Sequence, residues 1–355
     1  MYVYVGAYTG PGKSEGINTF LLDETSGALT PAGPVTPTDH PSFLALHPGR
    51  PVLYAVHETP PDEGAGPGVS AFRIDPASGA LALLNRQPSQ GTSPCYVSLD
   101  AAGRFVLVAN YGDGTLSIFP VQADGSLGEA SHVEQHVGSG PHERRQQGPH
   151  AHSVQFDPGG RFVLACDLGI DRVMVYRLSD DGTLVANDPP GVATPAGGGP
   201  RHLAFSPDGR FAYVNDEISS ALNVLAYDAE RGALTLLQTV STLPEGVSVP
   251  NNSTAQVKVH PSGQMVYVSN RGHDSLALFE VQAGKGTVTP VGHQPTGGRT
   301  PRNFNLTGDG TWLIAANQNG DSLVTFRADR ASGRLTETGQ VVATAAPVCV
   351  CFAEI

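Results

Sequence analysis

A turn recurs along this chain at intervals of roughly 50 residues, and that periodicity constrains the fold more than any other feature. The segments "LHPGRPVLYAVHE", "LDAAGRFVLVANY", "FDPGGRFVLACDL", "FSPDGRFAYVNDE", "VHPSGQMVYVSNR" and "LTGDGTWLIAANQ" each set a Gly-containing turn between two apolar runs. That is the pattern of a β-hairpin. A second hairpin follows each one: "VSAFRIDPASGALALL", "LSIFPVQADGSLGE", "VMVYRLSDDGTLVA", "LNVLAYDAERGALTLL", "LALFEVQAGKGTVTPV" and "LVTFRADRASGRLTET". Each repeat therefore carries four strands, A to D, the content of one propeller blade.

The two ends complete the count. The chain opens in a B strand, Tyr2 to Tyr8, followed by the C–D hairpin "INTFLLDETSGALTPA", and closes in a lone A strand, "APVCVCFAEI". Joining that last strand to the first three makes a seventh blade, numbered one here because it holds the N-terminus. Such closure pairs strand edges that would otherwise template aggregation. The expected fold is thus all-β, a single seven-bladed propeller domain over residues 1–355. With 39% hydrophobic residues the chain can bury a sizeable core, and its 43 Gly and 29 Pro suit many tight turns.

Charge and cysteine content narrow the function. A formal net charge of −12 opposes nucleic-acid or anionic-membrane binding, which need basic patches. No apolar run is long enough to span a bilayer, and "MYVYVGAYTG" alternates like a strand from its second residue, so a signal peptide is not expected. Cys95, Cys166, Cys349 and Cys351 lack zinc spacing, so reduced thiols and a cytoplasmic location are expected. Only 15% of residues are charged, so a local cationic cluster calls for a reason.

Such a cluster emerges when the repeats are aligned on the last apolar residue of strand A. Four residues earlier stand Ser42, Cys95, His152, Arg201, Ala255 and Arg302; at the end of B stand Glu58, Tyr111, Leu168, Glu217, Arg271 and Gln318. Both positions fall on one rim. Positions that only pack should hold similar residues in every repeat, and these do not. A ligand site at the mouth of the central channel would require that asymmetry. If Phe205 pairs with Phe211, Arg201 and Glu217 share one sheet face, while His202 and Asp216 share the other.

Plain structural roles compete with this reading. Arg201 with Glu217 could be a surface ion pair worth little, His152 a satisfied structural histidine, and Arg271 and Arg302 solvated rim residues. Four such coincidences on one rim of a charge-poor protein favour a shared anion site instead. Two long D-to-A connections, "HVGSGPHERRQQGPHAH" and "STLPEGVSVPNNST", lie on the same rim, where long loops are usually functional. The first carries Arg144, Arg145, His142 and the His150-x-His152 pair, which lacks a third ligand for zinc. No metal site is expected.

"PHAHSVQFDPGGRF", "SDDGTLVANDP", "GPRHLAFSPDGRFAYVNDE" and "QPTGGRTPRNFNLTGDGTWLIAANQ" together resemble the lactonase seven-bladed propeller family, which includes bacterial 6-phosphogluconolactonases and a fungal carboxy-muconate cyclase. The resemblance runs over nearly the whole chain. It implies hydrolysis of 6-phosphoglucono-δ-lactone in the oxidative pentose phosphate route, without a cofactor. Family site positions match His152, Arg201, Glu217 and Arg271.

On this reading His152 or Glu217 activates water, Arg201 stabilises the growing oxyanion, and Arg271 and Arg302 bind phosphate. His202, His150, Glu58, Gln318 and Tyr111 complete the expected contacts to a phosphorylated sugar lactone. No Gly-x-Ser-x-Gly elbow occurs, so an acyl-enzyme through serine is not indicated. Three rivals stand beside this: a muconate cycloisomerase using the same cations, a calcium-dependent sugar lactonase drawing on Glu58, Asn110 and Asn270, and a non-enzymatic scaffold propeller. A monomer is expected.

Overall fold

The computed structural model describes residues 1–354; Ile355, the last residue of the expected closing strand, lies outside them. Seven antiparallel sheets follow one another in chain order, and the final strand Pro347–Ala353 pairs with Tyr2–Ala7 to close the ring. Blade one departs slightly from the four-strand pattern. Its D strand is broken into Leu29–Pro31 and Thr36–Pro37, both paired with the C strand Gly16–Leu22. Among the described residues there is no α-helix, and a single 3₁₀ turn spans Gln318–Gly320.

The core lies between blades rather than within them. Seven apolar clusters form, each shared by two consecutive blades; one joins Val163 and Ala165 of blade four to Leu107 and Ile118 of blade three. This follows from strand alternation, since every sheet has two apolar faces and both need a neighbour. A B-strand aromatic clasps several of these junctions. Tyr4, Tyr54 and Tyr213 donate their hydroxyls to Gly79, Gly125 and Gly286 in the C–D turn of the next blade at 2.8–3.0 Å. Trp312 reaches Glu24 in the same way across the closure, at 3.1 Å.

The A–B register differs from the expected one. Phe205 pairs with Ala212 rather than Phe211, and Pro200 pairs with Asp216, leaving Arg201 as an extra residue. The same bulge leaves Cys95, His152 and Arg302 unopposed in blades three, four and seven. In blade one it leaves Val348 unopposed. A bulge re-aims the side chain it carries. Apart from Ser42, the variable strand-A positions found by alignment fall in bulges.

Candidate active site

Bulges and B-strand ends converge at the centre of one rim around a cavity of about 280 Å³. Its walls are Cys95, His152 and Arg302 from the bulges; Tyr8, Glu58, Tyr111, Glu217 and Arg271 from the B ends; and Arg145 from the first long loop. A groove of about 460 Å³ near Thr36, His57 and Arg86 is larger, but no comparable set of charges meets there.

Glu217 is the hub. Its Oε2 accepts from Arg201 Nε at 2.7 Å and lies 2.9 Å from Arg271 Nη2, while Oε1 accepts from Arg145 Nη2 at 2.5 Å. His152 Nε2 stands 3.8 Å from Oε2. Arg201 and Glu217 are thus not a surface clasp: their side chains are only 3% and 7% exposed. Burial pushes the Glu217 carboxyl up, but Arg271 and Arg201, with His152 and Arg145, hold it well below the usual carboxylate range. Burial, with Arg271 beside it, brings Arg201 down to about 9, so it stays cationic at neutral pH.

His152 has the opposite character. Burial, then Arg201 and Arg302, hold its imidazole well below the ordinary histidine value despite Glu217, so it is neutral at pH 7. Its Nδ1 lies 3.5 Å from Cys95 Sγ, and its ring meets Tyr111 edge-on at 5.3 Å. Burial keeps the Cys95 thiol protonated. A second, looser pole faces this one. Tyr8 donates to Glu58 Oε2 at 3.0 Å, Arg302 Nη2 stands 3.7 Å from the same oxygen, and the Arg302 guanidinium lies over the Tyr8 ring at 5.2 Å.

Of the expected residues, His152, Glu217, Arg271, Arg302, Glu58 and Tyr111 line the cavity. Four others do not. Arg201 sits behind Glu217, its Nη1 donating to the Ala255 carbonyl. His202 packs behind His152, bonded to Gln256 and edge-on to Tyr96 at 5.1 Å, because the bulge at Arg201 turns the next residue away. His150 stacks on Tyr111 at 4.6 Å and holds its carbonyl at 2.7 Å. Gln318 begins the 3₁₀ turn Gln318–Gly320 and is not among the lining residues. Tyr8, Cys95 and Arg145 were outside the expected set. Tyr8 occupies the B-end position of the split blade, so extending the alignment across the termini would have found it.

Residues 2–352 match the family model described as a lactonase seven-bladed β-propeller. The chain belongs to that family. This lactonase-family chain is 40% identical over 349 residues to a 6-phosphogluconolactonase of Bacillus subtilis, covering 98% of this chain and 97% of the relative. It is 30% identical over 342 residues to a 6-phosphogluconolactonase of Formosa agariphila, covering 95% of each. The solved structure of a periplasmic gluconolactonase from Pseudomonas aeruginosa superposes with a TM-score of 0.92 at 35% identity, covering 99% of this chain and 98% of that one.

Proposed function

We propose that this lactonase hydrolyses 6-phosphoglucono-δ-lactone to 6-phosphogluconate, in the oxidative pentose phosphate route. The names of its relatives span phosphorylated and unphosphorylated lactones, so they support the reaction type more than the substrate. One observation favours the phosphorylated one. Around the cavity, Arg145, Arg201, Arg271 and Arg302 face only Glu58 and Glu217, a cationic excess in a chain of net charge −12. An anionic ligand would supply the missing negative charge.

The chemistry follows from the protonation states. Neutral His152 takes a proton from water as the water oxygen bonds to the lactone carbonyl carbon. Glu217, 3.8 Å away, stabilises the imidazolium that forms. Arg271 faces the cavity and stabilises the oxyanion. Arg201, from behind, fixes Glu217 in place. Collapse of the tetrahedral intermediate breaks the ring C–O bond, and the leaving alkoxide takes the proton from His152. The resulting acid ionises, releasing a proton to solvent.

Arg302 is the less committed cation, paired with Glu58 only at 3.7 Å, and suits the phosphate. The test is an assay of purified protein on 6-phosphogluconolactone, gluconolactone and a muconolactone, each corrected for spontaneous opening. A kcat/KM highest for the phosphorylated lactone supports the proposal; preference for either other lactone refutes it.

A further inference from the structure

Resting on that reading of the substrate, we infer that Arg145 joins Arg302 in reading its phosphate, exchanging its guanidinium from Glu217 onto the incoming group. Arg201, Arg271 and Arg302 sit on blade strands with side chains 3%, 14% and 17% exposed; Arg145 comes from the loop before blade four and is 39% exposed. It therefore stands at the mouth, where the charged end of a phosphorylated lactone stays hydrated.

The loop holds the Arg145 backbone still and leaves its side chain free to turn. Arg145 N donates to the His142 carbonyl at 3.2 Å. The next residue, Gln146, is fully buried, donating to the Leu168 carbonyl at 2.8 Å and to Asp171 at 2.6 Å. Gln146 Oε1 in turn accepts from His142 N at 3.0 Å. Exchange thus needs side-chain rotation alone, with no loop opening. Tyr111 supports the arm, its hydroxyl accepting from Arg145 Nε at 3.3 Å and Nη2 at 3.0 Å.

Glu217 can release this partner. When Arg145 leaves Oε1, Arg201 and Arg271 still neutralise the carboxylate through Oε2. A phosphate dianion offers the planar fork two oxygens and more charge than one carboxylate oxygen does. The same exchange frees Oε1 and strengthens Glu217 as counter-ion to protonated His152. Phosphate recognition and base activation are then one event.

The experiment compares the parent with Arg145→Met and Arg145→Lys, using 6-phosphogluconolactone, unphosphorylated gluconolactone and inorganic phosphate as competitive inhibitor. In Arg145→Met the ratio of kcat/KM for the phosphorylated over the unphosphorylated lactone should fall about 10- to 100-fold, the size of a lost charged hydrogen bond, chiefly through KM. The inhibition constant for phosphate should rise in parallel, and Arg145→Lys should fall between. If the parent prefers the phosphorylated lactone and Arg145→Met keeps the full ratio, Arg145 acts only through Glu217; the inference is overturned while the substrate reading stands. If Arg145→Met does not fold, an unchanged ratio in Arg145→Lys overturns the inference equally. A parent without phosphate preference defeats the substrate reading first and the inference with it.

Discussion

Replacing Asp216 with asparagine should stabilise the protein, and more so as pH rises. Asp216 ends the B strand of blade five, one residue before Glu217, and is fully buried. At the same position three other blades carry Asn110, Asn270 and Asn317. Each donates its amide to the carbonyl that ends the preceding D strand, at Ser89 (3.4 Å), Thr242 (2.9 Å) and Thr296 (3.0 Å). Blade four carries Asp167 there, and meets it with His136 at 2.6 Å. Asp216 has neither arrangement. Neither of its oxygens has a hydrogen-bond partner among the described residues, nor has the hydroxyl of Thr194 at the end of the preceding D strand.

Burial raises its carboxyl from 3.8 to about 7, offset first by the nearby Asn223 side chain, reinforced by the charge of Asp171 and offset slightly by Ser219. The folded protein thus keeps a proton on Asp216 that the unfolded chain has already released. Between those two values the native state binds more protons, so this residue's contribution to stability falls as pH rises, and the loss is complete above pH 7. About three pKa units correspond to roughly 4 kcal/mol. With an unfolding entropy of about 2.1 cal/mol/K per residue, that is about 5 °C in Tm for a chain of this length.

Asparagine cannot ionise and supplies the donor that its counterparts use. Urea or thermal unfolding of both proteins from pH 4 to pH 8.5 measures the difference directly, because all other titrations cancel. The gap should be small at pH 4 and widen to its full size above pH 7. A gap independent of pH, or a destabilised variant at pH 8, would refute the reasoning and show that Asp216 is held as an anion.

Three further outcomes are expected. Because His152 stays neutral well below pH 6.5, kcat/KM should lose no activity through the ordinary histidine range on acidification, falling only below it, and His152→Gln should lower kcat about 10²–10⁴-fold; a half-maximal rate at pH 6.5 counts against this base. Glu217→Gln leaves buried Arg201 without its counter-ion and should cost about 3–5 kcal/mol in urea unfolding as well as lowering kcat; full stability would mean the cluster is not coupled through Glu217. Deleting residues 346–355 removes the strand that pairs with Tyr2–Ala7 and uncovers Val3 and Val5, so the product should be insoluble or show a collapsed melting curve; a soluble product with parental Tm would argue against the closure.

The blade count and the split blade were legible because each repeat restates its own turn chemistry, and most residues of the candidate cavity because they break the repeat. The orientation of the Arg201 side chain was not legible in the same way. The expected pairing of Phe205 with Phe211 is off by one residue, and the bulge at Arg201 adds one back, so Arg201 still meets Glu217. His202, carried one position past the bulge, ends behind the site. A bulge adds a residue without changing the apolar pattern, so periodicity cannot register it.

Arg145 was hidden for a different reason: its position depends on Gln146 inserting between Leu168 and Asp171, a contact made only in the folded ring. What sequence does expose is departure from the repeat. At the B ends stand Tyr8, Glu58, Tyr111, Leu168, Glu217, Arg271 and Gln318, seven equivalent positions with no shared character. Asp216, beside Glu217, stands where three other blades carry asparagine and blade four carries Asp167. Blade five thus ends its B strand in two adjacent acids with opposite shifts: one held ionised by cations at the cavity wall, the other raised to about 7 by burial one residue away.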